Sequence, residues 1–188
     1  MKKRNKLLLL DCFGVFSTPV VVPWFLKTFG PIEGQKYSDY YCELGDNGVV
    51  DIITEAQMVA DRFHLDVNEI LEDWYNGIIS KDFIDFILEK KKDYVICLAS
   101  NASIGLVEEV FKRNNVPNDL FDKLYISCYI KEVKPNVSFF KYILGDLNEE
   151  FDEMFMVDDR DFNLVNVSRL NIKPILFKGL EDLKIRIM

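Results

Sequence analysis

Five short apolar runs constrain this chain more than any other feature: KLLLL at 6–10, YVICLA at 94–99, LYISCY at 124–129, MFMV at 154–157 and PILF at 174–177. Each is too short for a buried helix and carries no face-to-face alternation of polar residues, so each reads as a strand covered on both sides. Helical stripes separate the later runs: Ile104, Val107, Val110 and Phe111; then Phe139, Phe140, Ile143 and Leu144; then Leu164, Val167 and Leu170. Strands alternating with helices predict an α/β fold built on a doubly wound, Rossmann-like parallel sheet.

The first and second runs are much further apart than an ordinary crossover requires. Residues 17–86 read as helices with hardly a strand among them. Asp66 with Glu69 offers a capping-box start, Ser80 can cap a helix through Phe83, Phe86 and Ile87, and Ile52, Ala56, Val59 and Phe63 share one helical face. The expected organisation is an α/β core of residues 1–16 plus 87–188, with a small helical cap of residues 17–86 inserted into it. Trp24 and Trp74 fall in that cap and are expected in its core.

Composition narrows the partners. A chain of 188 residues that is 49% hydrophobic can bury a real core. A net charge of −8 repels a phosphate backbone, so nucleic acid is excluded as a partner and any small anion needs a local cationic site. The start MKKRNKLLLL resembles the opening of a signal peptide, but Asp11 interrupts the apolar run after four leucines and no small-residue cleavage site follows. The following uncharged stretch, CFGVFSTPVVVPWFL, holds two prolines and is shorter than a bilayer span, so no membrane association is expected. Cys12, Cys42, Cys97 and Cys128 lack the paired spacing of zinc or redox sites and read as reduced thiols of a cytoplasmic protein. Acidic composition sets no oligomeric state.

In an open α/β sheet, ligands bind beyond the carboxyl ends of the strands. The residues found there are Asp11 after the first run, Ser100 and Asn101 after the second, Lys134-Pro135 in the loop after the third, and Asp158-Asp159 after the fourth. Three carboxylates converging on one crevice repel one another by about 4 kcal/mol per pair at 4 Å and an effective dielectric of 20. Lys134 supplies one positive charge, and a hard divalent ion such as Mg²⁺ supplies two more, binding carboxylates, carbonyls and phosphate oxygens. The only histidine, His64, lies in the cap segment, which leaves a Ser-His-Asp or Cys-His mechanism without a base in the core.

With LLLLDCFGV, ICLASN, VKPN and FMVDDRDFN in order along nearly the whole chain, the sequence resembles the haloacid dehalogenase-like (HAD) hydrolase superfamily, and the insertion after the first motif resembles the helical cap of its subfamily I. The resemblance implies that Asp11 is a nucleophile forming an aspartyl-phosphate and that the backbone carbonyl of Phe13 is a metal ligand. It makes Ser100 and Asn101 phosphate-binding residues, with Lys134 neutralising the phosphate while pairing with Asp11. Asp159 is then a direct Mg²⁺ ligand, Asp158 a ligand directly or through water, and Asn163 an orienting residue further out.

One departure bears on activity. Most phosphatases of this family carry a second aspartate two residues after the nucleophile, as general acid, and Phe13 stands there. A general acid contributes about 10²–10⁴ in rate. The resulting expectation is a Mg²⁺-dependent phosphatase of small, sugar-like phosphates that favours good leaving groups, with specificity set by the cap and by Ser17–Trp24. The alternatives are a catalytically silent phosphate-binding homologue and, third, a metal-independent 2-haloacid dehalogenase. That third reading is weakened because Lys27 is the only basic residue between Val15 and Gly34 and because the doubled acid is retained. In the cap, Tyr37, Tyr40 and Tyr41 are candidate site residues by type, and Glu43 and Asp46 by their place beside the Gly45 turn.

Overall fold

The computed structural model describes residues 4–187; Met1, Lys2 and Lys3 of the basic start, and Met188, lie outside the described residues. Five parallel strands, β1 (Lys6–Leu10), β2 (Tyr94–Ser100), β3 (Lys123–Ile126), β4 (Glu153–Asp158) and β5 (Lys173–Leu176), form one sheet in the order β3-β2-β1-β4-β5. β1 is the central strand, with Leu9 opposite both Cys97 and Met156. Its four leucines are 0% exposed because the sheet is covered on both faces. Period-two alternation divides them: Leu8 and Leu10 join the core beneath the helical insertion, whereas Leu7 and Leu9 pack with Phe139, Phe140 and Ile143 on the other face.

Four helices, α1 (Val21–Asp46), α2 (Ile52–Phe63), α3 (Val67–Trp74) and α4 (Lys81–Lys90), occupy the long connection from β1 to β2, and among the described residues that connection holds no strand. α1 is two helices meeting at Gly30, whose φ of 78° breaks the hydrogen-bond ladder just before Pro31. Side-chain caps start the others: Asp51 accepts from the Thr54 N–H, Asp66 from Asn68 N–H and Ser80 from Phe83 N–H. Trp74 is fully buried, and Trp24 meets it edge-on at 5.6 Å, so both tryptophans are core. Phe16 packs edge-on against Phe83, Phe111 and Phe121 and locks the segment after β1 onto the helices beside β2.

The remaining helices are α5 (Leu106–Arg113), α6 (Ser127–Ile130), α7 (Val137–Leu147), α8 (Asp161–Leu164) and α9 (Leu180–Arg186). Two sequence expectations are corrected here. The strand expected over 124–129 stops at Ile126, because β2 ends opposite it at Ser100, and Ser127–Ile130 turn into α6. The Ser127 hydroxyl fixes that turn by accepting from the Ala102 N–H and donating to the Asp46 carbonyl. The stripe Leu164, Val167, Leu170 is not one helix but α8 followed by a 3₁₀ turn over Val167–Leu170; Asn166 between them donates to the Pro135 carbonyl instead of continuing a helix. Among the described residues no helix is long and apolar enough to cross a membrane.

Candidate active site

Asp11 follows the last residue of β1, and its N–H donates to the Val157 carbonyl of β4 at 2.9 Å. This pairing sets Asp11 beside Asp158, the last residue of β4, at the point where the chain reverses its direction of travel across the sheet. Lys134 enters from the loop between α6 and α7. Its Nζ lies 2.7 Å from Asp11 Oδ1 and 2.6 Å from Asp158 Oδ2, with the lysine side chain 0% exposed. Asn101 holds the lysine backbone at both ends, accepting from the Lys134 N–H at 2.9 Å and donating to its carbonyl at 3.1 Å.

Asp158 is saturated. Besides Lys134 it accepts from the Arg160 N–H at 2.9 Å and from Asn163 Nδ2 at 3.0 and 3.2 Å. Asn163 is therefore in direct contact with the acid pair, closer than the resemblance placed it. Asp159 is exposed, and one carboxylate oxygen each from Asp11, Asp158 and Asp159 lie within 4.8 Å of one another. Gly14 makes room for Asp159: with φ at +97°, a Cβ there would stand 2.2 Å from Asp159 Oδ2.

One lysine among three carboxylates leaves the cluster short of positive charge, and its hard oxygen donors are those that Mg²⁺ selects. The donor set fits that ion. Burial pushes the Asp11 carboxyl up, opposed by Lys134 and assisted by Asp158. Burial disfavours the Lys134 ammonium, but Asp11 and Asp158 outweigh it and the lysine stays charged. Burial and Asp158 also raise Asp159.

These groups open into a cavity of about 310 Å³ lined by Asp11, Phe13, Asn101, Lys134 and Asp159 on the sheet side and by the run Pro19–Pro23 on the other. Of the Ser17–Trp24 segment singled out in the sequence, Pro19–Pro23 thus form the apolar wall, and Ser17, Thr18 and Trp24 do not line the cavity. Ser100 is 0% exposed, its hydroxyl turned to the Asn101 carbonyl, and it is not among the residues lining the cavity. Of the helical-insertion candidates, Asp46 lines the cavity, whereas Glu43 lines an adjoining recess of about 220 Å³. Tyr37 packs on Phe29 and Phe63 and Tyr41 stacks on Phe25, so these two serve the helical core, whereas Tyr40 is exposed; none of the three lines the cavity. His64 is exposed at the end of α2, and the Cys12 thiol is buried and pushed well above its ordinary range.

Sequence reasoning missed Glu55, Ser103 and Arg160. Glu55, on α2, is 0% exposed and lines the cavity; Oε2 accepts from the Ser103 hydroxyl at 2.5 Å and Oε1 has no partner among the described residues. Burial, against the Ser103 hydrogen bond, pushes its carboxyl from 4.5 to about 8. The half-buried Asp46 is pushed by burial from 3.8 to about 7, with Lys134 pulling it back.

Comparison with known proteins places this geometry. No protein-family profile matches the chain. Over 134 residues it is 25% identical to the D-ribitol-5-phosphate phosphatase of Bacteroides thetaiotaomicron, covering 62% of this chain and 65% of that protein. Over 65 residues it is 29% identical to drimenol cyclase drtB of Aspergillus calidoustus, covering 35% of this chain and 12% of that one. The chain thus spans less than two thirds of the length of either curated relative. The crystal structure of the HAD family enzyme BT-2542 from B. thetaiotaomicron superposes with a TM-score of 0.82 at 23% identity, covering 99% of this chain and 100% of that one. The same enzyme has been crystallised with magnesium and inorganic phosphate; that form gives a TM-score of 0.77 at 21% identity over 95% of this chain and 98% of that one. The chain has the fold of the HAD enzymes.

Proposed function

We propose that this protein is a Mg²⁺-dependent phosphatase of small phosphate monoesters, sugar- or polyol-like, acting through an aspartyl-phosphate on Asp11. The observation that carries this reading is Lys134 bridging Asp11 and Asp158 at adjacent strand ends, with Asp159 completing a three-carboxylate cluster. The phosphatase relative and the magnesium and phosphate complexes of the similar fold support it.

In this reading Lys134 holds Oδ1 of Asp11 and leaves the other oxygen to attack phosphorus. The same ammonium offsets charge on the transferring phosphoryl group, beside Asn101 on the cavity wall, while Ser100, off the cavity, bonds the Asn101 carbonyl behind it. Asp11, Asp159 and the Phe13 carbonyl hold the Mg²⁺. Asp158, whose oxygens are already engaged, acts through water. When bound, the ion supplies Lewis-acid stabilisation of phosphoryl oxygens and relieves the repulsion among the carboxylates. The helices of residues 17–86 serve as the cap, and the Pro19–Pro23 wall receives the leaving group.

The test is phosphate release from p-nitrophenyl phosphate, acetyl phosphate and a panel of sugar and polyol phosphates, with Mg²⁺ or EDTA, for the wild type beside Asp11→Asn. Turnover that needs both the metal and Asp11 is the expected result. Phe13 favours a second reading, a silent phosphate-binding homologue. In that case the folded protein binds Mg²⁺ and phosphate, and no member of the panel turns over.

A further inference from the structure

If the site cleaves esters of ordinary alcohols, the departing alkoxide needs a proton, and Phe13 carries none. Another group facing the cavity must then supply it. Asp11, Asp159 and Lys134 are committed to the phosphoryl group and the metal, and a guanidinium side chain does not serve as a proton donor to a leaving group in proteins. The Cys42 thiol is pushed well above its ordinary range by burial. Glu55 is wholly buried and tied to Ser103, while Asp46 stands half-buried on the last turn of α1 and lines the cavity.

Two contacts hold Asp46 in place. The Ser127 hydroxyl of α6 donates to its carbonyl at 2.7 Å. The preceding residue, Gly45, lies so close to the Glu55–Ser103 pair that a Cβ would stand 1.8 Å from Ser103 Oγ. Charged groups from four other elements surround the carboxyl: Asp11 after β1, Glu55 on α2, Lys134 before α7 and Arg160 after β4. Asp46 stays outside the three-carboxylate cluster.

We propose that Asp46 delivers the proton to the leaving group, replacing from the helical insertion the acid that Phe13 displaces. The inference rests on the phosphatase reading above. As Asp11 bonds to phosphorus, the bond from phosphorus to the leaving oxygen breaks. The electron pair stays on that oxygen, which takes the proton of the Asp46 carboxyl. In the second half, the Asp46 carboxylate accepts a proton from the water that attacks the aspartyl-phosphate. Phosphate departs, and Asp11 and the Asp46 acid are both restored. With its carboxyl raised to about 7, Asp46 is divided between acid and base near neutral pH, as a group that first gives and then takes a proton should be.

The experiment measures kcat/KM for glycerol 3-phosphate, ribitol 5-phosphate, p-nitrophenyl phosphate and acetyl phosphate in the wild type, Asp46→Asn and Asp46→Asn/Phe13→Asp. The single variant should lose about 10²–10³-fold on the two alkyl phosphates and far less on acetyl phosphate, whose leaving group needs no proton. Placing aspartate at position 13 should restore part of the alkyl activity. In the wild type, alkyl turnover should fall as pH rises through 7, and that limb should vanish in Asp46→Asn. An equal loss on all four substrates, or no loss, overturns the role of Asp46 and leaves the phosphatase reading standing. No turnover of any substrate by the wild type overturns both.

Discussion

Lys134 shows how much one side chain can carry. Its side chain is wholly buried and offsets two carboxylates, so its removal leaves largely buried charge uncompensated. Lys134→Ala should cost about 3–5 kcal/mol in urea denaturation, and saturating Mg²⁺ should recover part of the loss. An unchanged midpoint would mean that the acids are not ionised in the fold. Glu55 has the opposite character, a buried acid with no cation paired to it among the described residues. Its folded carboxyl titrates near 8 against 4.5 when unfolded, so between those values the unfolded chain releases the proton and the folded chain keeps it. Stability attributable to Glu55 is therefore highest below the lower value and falls as pH rises through the window. Glu55→Gln keeps an acceptor for Ser103 and removes the proton. The variant's advantage over wild type should grow by a few kcal/mol, roughly 1.4 per pH unit, from acid to slightly alkaline pH. Parallel curves for the two proteins would reject an ionisable Glu55 with that shift.

Elements set the tolerance of the site. The turn after β1 brings the Gly14 backbone against Asp159, at a φ that side chains rarely adopt. Gly14→Ala should cost about 1–3 kcal/mol in stability and also displace Asp159. Mg²⁺ affinity measured by calorimetry should drop about tenfold or more, a coupling that a mere turn would not show. In α1 the kink at Gly30 folds one half back on the other until a Cβ at Gly34 would stand 2.4 Å from the Phe25 carbonyl. This packing delivers Asp46, at the far end of the helix, to the cavity. The strand ends of the site were legible because each apolar run stops at the residue that matters. α6 was not, since the bonds that turn Ser127 out of β3 reach to Ala102 and Asp46, far along the chain.

Across the whole molecule, three acids and one lysine close together make metal binding and folding one equilibrium. Mg²⁺ at a hundredfold excess over Kd should stabilise the protein by about 2.7 kcal/mol and raise Tm by about 5–10 °C, an increase that Asp159→Asn should abolish. By itself the sequence determined the α/β class, the buried leucine strand, and Asp11, Asp158 and Asp159 at strand ends with Lys134 in the loop after the third run, because hydrophobic runs and the residues that follow them are local facts. Only the tertiary structure decided that Asn163 grips Asp158, that Ser100 lies off the cavity, and that Asp46 and Glu55 face the acids from the helical insertion. Those placements follow from how α1 and α2 pack over the sheet, a matter of long-range contacts that no local pattern records.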